Sequence, residues 1–384
     1  MGATVINSFR AGRAIVPAIS RRSSLRRSLT WVVGLLALAW SGVALAQNAY
    51  VAGVNTNDVS VVSSLSNSVL TTVSVGTSPY GVAVSPDGSR AYVVNNGSNN
   101  VSVINTTTNG VVATISVGAG PLGIAISPNG ARAYVTNDQA GAVSVIDTAS
   151  NTVVATVPVG SGPYGVAVSA DGSRAYVSNF NNGTVSVINT ATNSVITTIS
   201  VGSGASDVAT SLDGTRVYVA NAGNAGGNSV SVINTATNTV VSTILTANPV
   251  AVAVSPNSSR VYVANQSSNA VSVFNAATNA LVATIPLAIS SAPSGLSLTP
   301  DGLRLYVVNQ GTSKVDVIDT ATNLIVATAT LAPGSGPSTF GQFVRPAAPT
   351  VAVAVPTLSE WAMILLGLML AGGAALMIQR RRLA

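Results

Sequence analysis

The chain has 384 residues, 47% of them hydrophobic and only 7% charged, with no His, no Cys and a net charge of +6. Nine of its seventeen basic residues lie near the ends, six before position 28 and three at Arg380, Arg381 and Arg382, while between Gln47 and Val355 eight Lys/Arg face ten Asp, a net of −2. That central stretch has no Trp, His, Cys or Glu, which removes the basic grooves and stacking platforms of nucleic-acid binders, disulfides and thiolate metal sites, and most acid–base groups.

The first expected element is an export signal over residues 1–46. Arginines between positions 10 and 27 precede the apolar run Trp31 to Val43, and Ala44-Leu45-Ala46 before Gln47 is a small-x-small site for signal peptidase. The run is too short to span a bilayer comfortably. Ser20-Arg21-Arg22-Ser23-Ser24-Leu25 resembles a twin-arginine signal, with Ser24 where that motif prefers Phe. General secretion is the expected route and twin-arginine export the alternative.

From Gln47 to about residue 344 the chain repeats itself. Tyr-Val pairs recur at Tyr50, Tyr92, Tyr134, Tyr176, Tyr218, Tyr262 and Tyr306, spaced by 42 residues and, in the last two intervals, by 44. A period in the low forties, filled with short Val/Ser/Thr strands and Pro-Asp-Gly turns, is the length of one four-stranded propeller blade. Within one unit, Gly81 to Ser85 reads as an innermost strand A, Pro86-Asp87-Gly88 as a turn, and Arg90 to Val94 as strand B. Val101 to Ile104 reads as strand C and Val111 to Val117 as strand D. The column Tyr92-Val93-Val94-Asn95, Tyr134-Val135-Thr136-Asn137, Tyr176-Val177-Ser178-Asn179 and Tyr218-Val219-Ala220-Asn221 resembles the YVTN β-propeller family, known from surface-layer and lactonase-like proteins.

Counting strands predicts how the ring closes. The first Tyr-Val has strands B, C and D after it but no strand A before it. The missing strand is expected at Pro337 to Phe343, in the register of Pro79 to Ser85. This gives an all-β, seven-bladed propeller of four-stranded antiparallel blades, expected as a monomer, whose first blade is built from both ends and leaves no open junction.

Antiparallel order puts the A-B and C-D turns on one face and the B-C and D-A loops on the other. The first face is regular, with near copies of Pro86-Asp87-Gly88 in most blades. The second varies: the loop after Asn221 gains three residues, and the one from Pro286 to Pro293 is lengthened. Ligand is therefore expected on the variable face, with Asp207, Asn224, Asn228, Ser290 and Ser291 as candidate binding residues. Neutral drift of loops is the bland alternative. Asp207 stands where other A strands carry Gly81, Gly123, Gly165 and Gly295. It reads either as a ligand contact near the channel mouth or as a solvated loop-end carboxylate. Six aligned arginines (Arg90, Arg132, Arg174, Arg216, Arg260, Arg304) could form an anion-binding ring, or each could brace turn carbonyls or a carboxylate such as Asp87 or Asp171. The Asn of each Tyr-Val-x-Asn, and the column Asn105, Asp147, Asn189, Asn234, Asn275 and Asp319, read as turn chemistry.

The tail completes the plan with a Pro/Ala/Val-rich spacer (345–355) and a second targeting segment (356–384). Val355-Pro356-Thr357-Leu358-Ser359-Glu360-Trp361 precedes an apolar run to Ile378, long enough to cross a membrane, and then Arg380 to Arg382. Motif, helix and Arg cluster in that order resemble the IPTL-CTERM sorting signal of exosortase-processed bacterial proteins. The resemblance implies an exosortase-type enzyme as partner and a destination at the cell surface or outer envelope; a plain C-terminal membrane anchor is the other reading. With no His, no Glu and a single Lys (Lys314) in the repeats, no catalytic residue, metal site or cofactor is expected. The leading function is a non-catalytic surface propeller for adhesion, envelope structure or binding of a glycan or protein. The alternative is a periplasmic propeller enzyme, lactonase-like or quinone-dependent dehydrogenase-like.

Overall fold

The computed structural model describes residues 48–222 and 227–344. The export signal, Asn224, the spacer and the sorting segment lie outside the described residues.

Six four-stranded antiparallel sheets follow one another in sequence, each in simple up-and-down order, and a seventh opens the chain with three regular strands, Asn48–Gly53, Asp58–Ser63 and Val69–Ser74. Blade 2 is typical: strands Pro79–Val84, Arg90–Asn95, Asn100–Asn105 and Gly110–Ser116 run from the axis outward. Blades 3 to 7 repeat this over residues 121–158, 163–200, 205–245, 249–286 and 293–330.

The repeated Tyr explains why the sheets stack. Alternation along strand B would normally expose one face, yet both faces here are covered by neighbouring blades. All seven column tyrosines are at most 1% exposed. Tyr92, for example, packs with Val94, Val101 and Val103 of its own blade against Ile124, Ala133, Val135 and Ile146 of the next. The phenol reaches across as well: Tyr50 Oη donates to Asn109 Oδ1 of blade 2 at 3.0 Å. Truncating one such ring to Ala is expected to cost about 3–5 kcal/mol.

The Asn ending each Tyr-Val-x-Asn is not the turn residue expected from the sequence. It lies within strand B, buried, and its side-chain N–H bridges to the adjacent strand C: Asn95 Nδ2 donates to Ser102 Oγ at 2.9 Å, Asn179 to Ser186 at 3.0 Å and Asn265 to Ser272 at 2.7 Å. In blade 7 the acceptor is the buried Asp316 carboxylate, 2.8 Å from Asn309 Nδ2. The other column does cap turns. Asn105 Oδ1 accepts the N–H groups of Thr107 and Thr108, and left-handed Asn109 follows, a pattern repeated in later blades.

Blade 1 closes as the strand count predicts, with a corrected register. Pro337 bridges Gly53 as Pro79 bridges Asn95, but Ala49 then pairs with Val344, seven residues after the proline, whereas in blade 2 the corresponding partner is Val84, five residues after it. Two residues are therefore extra, and the segment makes two isolated bridges rather than a regular ladder. The surplus bulges toward the axis. Val82 N donates to Phe340 O at 3.0 Å, Val84 N to Gln342 O at 2.9 Å, and Gln342 Nε2 donates to Leu298 O of blade 7 at 2.8 Å. Gly341, at φ +100°, permits the turn; a Cβ there would stand 2.6 Å from Ile124 O of blade 3 and 2.9 Å from Val82 O. The Phe340 ring meets Tyr164 of blade 4 edge to face, centroids 5.1 Å apart. Contacts with the inner strands of blades 2, 3, 4 and 7 place residues 339–342 across the axial channel as a plug.

Candidate functional site

The arginine column braces turns, in two blades across the junction with the next blade. Arg90 Nη1 donates to Thr148 O of the next blade at 3.0 Å and Arg174 Nη1 to Thr235 O at 2.7 Å, while Arg132 and Arg304 pair with Asp147 and Asp319 of their own blades. The carboxylates named as partners from the sequence, Asp87 and Asp171, instead hold their own turns. Each accepts from the Ser before and the Ser after the turn, at 2.5 and 2.8 Å for Asp87 and 2.6 and 2.8 Å for Asp171, and these bonds hold the Asp171 carboxyl down to about 2.

The candidates on the variable face do not converge. Asn228 Oδ1 accepts Asn248 N at 2.9 Å, fastening two loops. Ser290, left-handed at φ +61°, and buried Ser291 pack their loop against the Gln310–Thr312 turn, with Ser291 O accepting Gly311 N.

Asp207 lies elsewhere, on the inner strand Ala205–Thr210. It is not the solvated loop-end group of the alternative reading: only 9% is exposed, and Oδ2 accepts Val252 N of blade 6 at 3.0 Å. Burial pushes its carboxyl up to about 7, against the pull of the Val252 and Val208 N–H groups.

Sequence reasoning missed what surrounds this residue. Tyr164 and Phe180 stack obliquely, centroids 5.8 Å apart, above Phe340 of the plug. Tyr80, Asp207 and Asp138 lie close enough to reinforce burial in raising the Tyr164 phenol to about 12, and burial also raises the Asp138 carboxyl. The described residues hold thirteen Tyr and Phe. Seven form the column, Phe274 and Phe343 fill the core, and the remaining four are Tyr80, Tyr164, Phe180 and Phe340. A column comparison would have found them, because blades 3, 5, 6 and 7 carry Leu122, Ser206, Val250 and Ser294 where Tyr164 stands, and blades 2, 3, 6 and 7 carry Asn96, Asp138, Gln266 and Gln310 where Phe180 stands.

The regular face offers clefts between blades, of about 560 Å³ beside Arg174 and Tyr176 and about 380 Å³ beside Arg90 and Tyr92. Their difference has a local cause. Pro86 and Pro128 pack 3.7 and 3.6 Å from where a Cβ would stand on Gly130 and Gly172 of the next blade, but Ala170 replaces the proline facing Gly214, which has nothing within 4 Å. A third opening, about 510 Å³, lies on the variable face between blades 7 and 1 beside Asn55, Gln310 and Gly334. Among the described residues no three Asp, Glu, His or Cys come together as a metal site.

Comparison with known proteins agrees with this geometry. The YNCE-like β-propeller family matches residues 48–174, the lactonase seven-bladed β-propeller family residues 148–286, and the IPTL-CTERM motif residues 353–382. Among solved structures, hydrazine synthase of Kuenenia stuttgartiensis has TM-score 0.66 and 26% identity, covering 71% of this chain and 92% of that one. A functionally unknown protein from Desulfotomaculum acetoxidans has TM-score 0.65 and 18% identity, covering 77% and 98%, and speaks for the fold alone. No curated protein matches. The chain is a seven-bladed β-propeller, similar over parts of its length to the YNCE-like and lactonase propeller families, with an IPTL-CTERM motif matched at residues 353–382.

Proposed function

We propose that this protein is exported, sorted to the cell surface through its C-terminal motif, and works there as a monomeric, non-catalytic binding propeller whose variable face meets the ligand. Residues 1–46 would be removed by signal peptidase. Residues 356–384 would dwell in the membrane through their apolar run until an exosortase-type enzyme processes them, with 345–355 as spacer. The IPTL-CTERM match supports the address.

The observation that carries the binding role is the plug. A propeller that turns over a small molecule needs an enclosed site for it, and the axial channel is the natural recess. Here Thr339–Gln342 occupies that space with its own hydrogen bonds, so a ligand is received on the surface around the channel mouth. The loops and aromatics there vary between blades while the opposite face repeats.

The lactonase-family match supports a second, enzymatic reading, as does a buried carboxyl at about 7, where a general base works best. The deciding experiment incubates the purified full chain with panels of lactones and of quinone-linked alcohols. No turnover above buffer is expected; turnover abolished by Asp207→Asn would replace the binding role with the enzymatic one.

A further inference from the structure

The mouth of the channel is more specific than a generic binding surface. Its aromatics are surplus to the fold, since other blades place Ser206 or Ser294 at the Tyr164 position and Asn96 or Gln310 at the Phe180 position while keeping the same strands. Phe180 is 37% exposed, and Tyr164 beneath it is half-buried and backed by Phe340. This makes a supported apolar platform about one ring wide.

Polar groups rim the platform. Among the described residues no side chain or backbone N–H donates to the Asp138 carboxylate, which leaves it an open acceptor. Exposed Gln139 follows it in the loop of blade 3, and exposed Asn181 and Asn182, both bonded to Ser161, stand on the loop of blade 4. The column arginines are absent from this face, because each opens strand B at the A-B turn, on the opposite side. Lys314 is the one basic residue on this face among the described residues, and it belongs to blade 7. An apolar platform with hydroxyl-binding amides, a free carboxylate and no facing cation suits a ligand with one C–H face and many hydroxyls. It repels anions.

Building on the surface-binding role above, we infer that the channel mouth is a subsite for a neutral sugar ring of a glycan, stacked on Phe180 and Tyr164 and donating hydroxyl hydrogen bonds to Asp138. The test titrates the full chain, in a detergent without a sugar headgroup, with chitopentaose, cellopentaose and mannopentaose. Acidic oligogalacturonate and tetramethylammonium are parallel probes for an anion and a cation. At least one neutral oligosaccharide is expected to bind. Phe180→Asn and Tyr164→Ser, which install residues the same fold carries in blades 2 and 5, should each weaken it about tenfold or more, equivalent to about 1.4 kcal/mol. Arg216→Ala on the opposite face should leave it unchanged. Melting curves of both variants that match wild type would show that lost binding is not lost fold.

The inference fails if none of the three neutral sugars binds, if binding survives both substitutions, or if oligogalacturonate or tetramethylammonium binds more tightly. Its failure is separable from that of the broader reading, which falls only with Asp207-dependent turnover.

Discussion

Asp207 gives a clean thermodynamic test of the inner ring. Its carboxyl titrates near 7 in the fold against 3.8 for the free group. Between those values the folded protein holds a proton that the unfolded chain has released. The Asp207 contribution to stability therefore falls as pH rises from about 4 to about 7, and is flat on either side. Three units at 1.36 kcal/mol each set a ceiling of about 4 kcal/mol on the loss. The chain has no His and a single Glu, Glu360, so few other side chains titrate in this window. The turn aspartates Asp87, Asp171 and Asp213 have lowered values, and their contribution is lost only at more acid pH. Asp207→Asn keeps an acceptor for Val252 N and removes the charge. Urea unfolding of both proteins at pH 4.5, 6, 7 and 8 should give similar midpoints at pH 4.5 and a variant more stable by one to a few kcal/mol at pH 8. Parallel curves across the range would show that the carboxyl is solvated, and the buried-acid account would be wrong.

Other substitutions probe the closure and the blade junctions. Gly341→Ala puts a Cβ into two carbonyls at a left-handed residue and should cost about 2 kcal/mol or more by thermal melting; an unchanged melt would refute the plug. Phe343→Ala, at a site with no exposure, should lose about 3–5 kcal/mol, and removing residues 335–344 should also expose the Asn48–Gly53 edge and lower solubility. Ala170→Pro should supply the missing contact to Gly214 and raise stability by about 0.4–1 kcal/mol, measured against Ala170→Ser as control. On intact, suitably permeabilised cells, a Cys probe at Ser290 should label far faster than probes at Ser89 and Thr107, since the chain leaves the disc at Val344 on the regular face; equal rates would reject that orientation.

The repeat was legible because each blade solves the same packing problem with the same residues. Tyr-Val spacing sets the blade number, and the split of the first blade follows from counting strands. Where a residue's partner lies on another strand or blade, sequence reading was only partial. Asn95 looks like turn chemistry until Ser102 is seen across the ladder, while Arg90 does brace a turn carbonyl, as expected, but one that belongs to the next blade, 58 residues away. The register of the closing segment was hidden for a related reason. Pro337 to Phe343 matches strand A in type, but nothing local says that two residues must leave the ladder to fill the axis. The channel mouth escaped because Tyr164 and Phe180, neighbours on one hairpin of blade 4, break their columns without breaking the strand pattern, and Phe340 reaches them only by closure of the ring; loop length pointed instead to Ser290 and Ser291.

The splice between Tyr50 and Phe343 also makes the fold a measure of completed synthesis. Blades 2 to 7 consist of neighbouring hairpins that can form as the chain emerges, N-terminal ones first. Until residue 344 is out, however, Asn48–Gly53 has no partner at the axis, and blades 2 and 7 lack the bonds that Phe340, Gln342 and Pro337 supply. A chain stalled or cut short of that point stays an open fan with a Val-rich margin, ready for proteolysis or aggregation. The IPTL-CTERM motif begins only about ten residues later, so on a chain made from its N-terminus it arrives almost together with the last piece needed to shut the ring, and under the proposed sorting the enzyme would meet a molecule whose folding has just become able to finish.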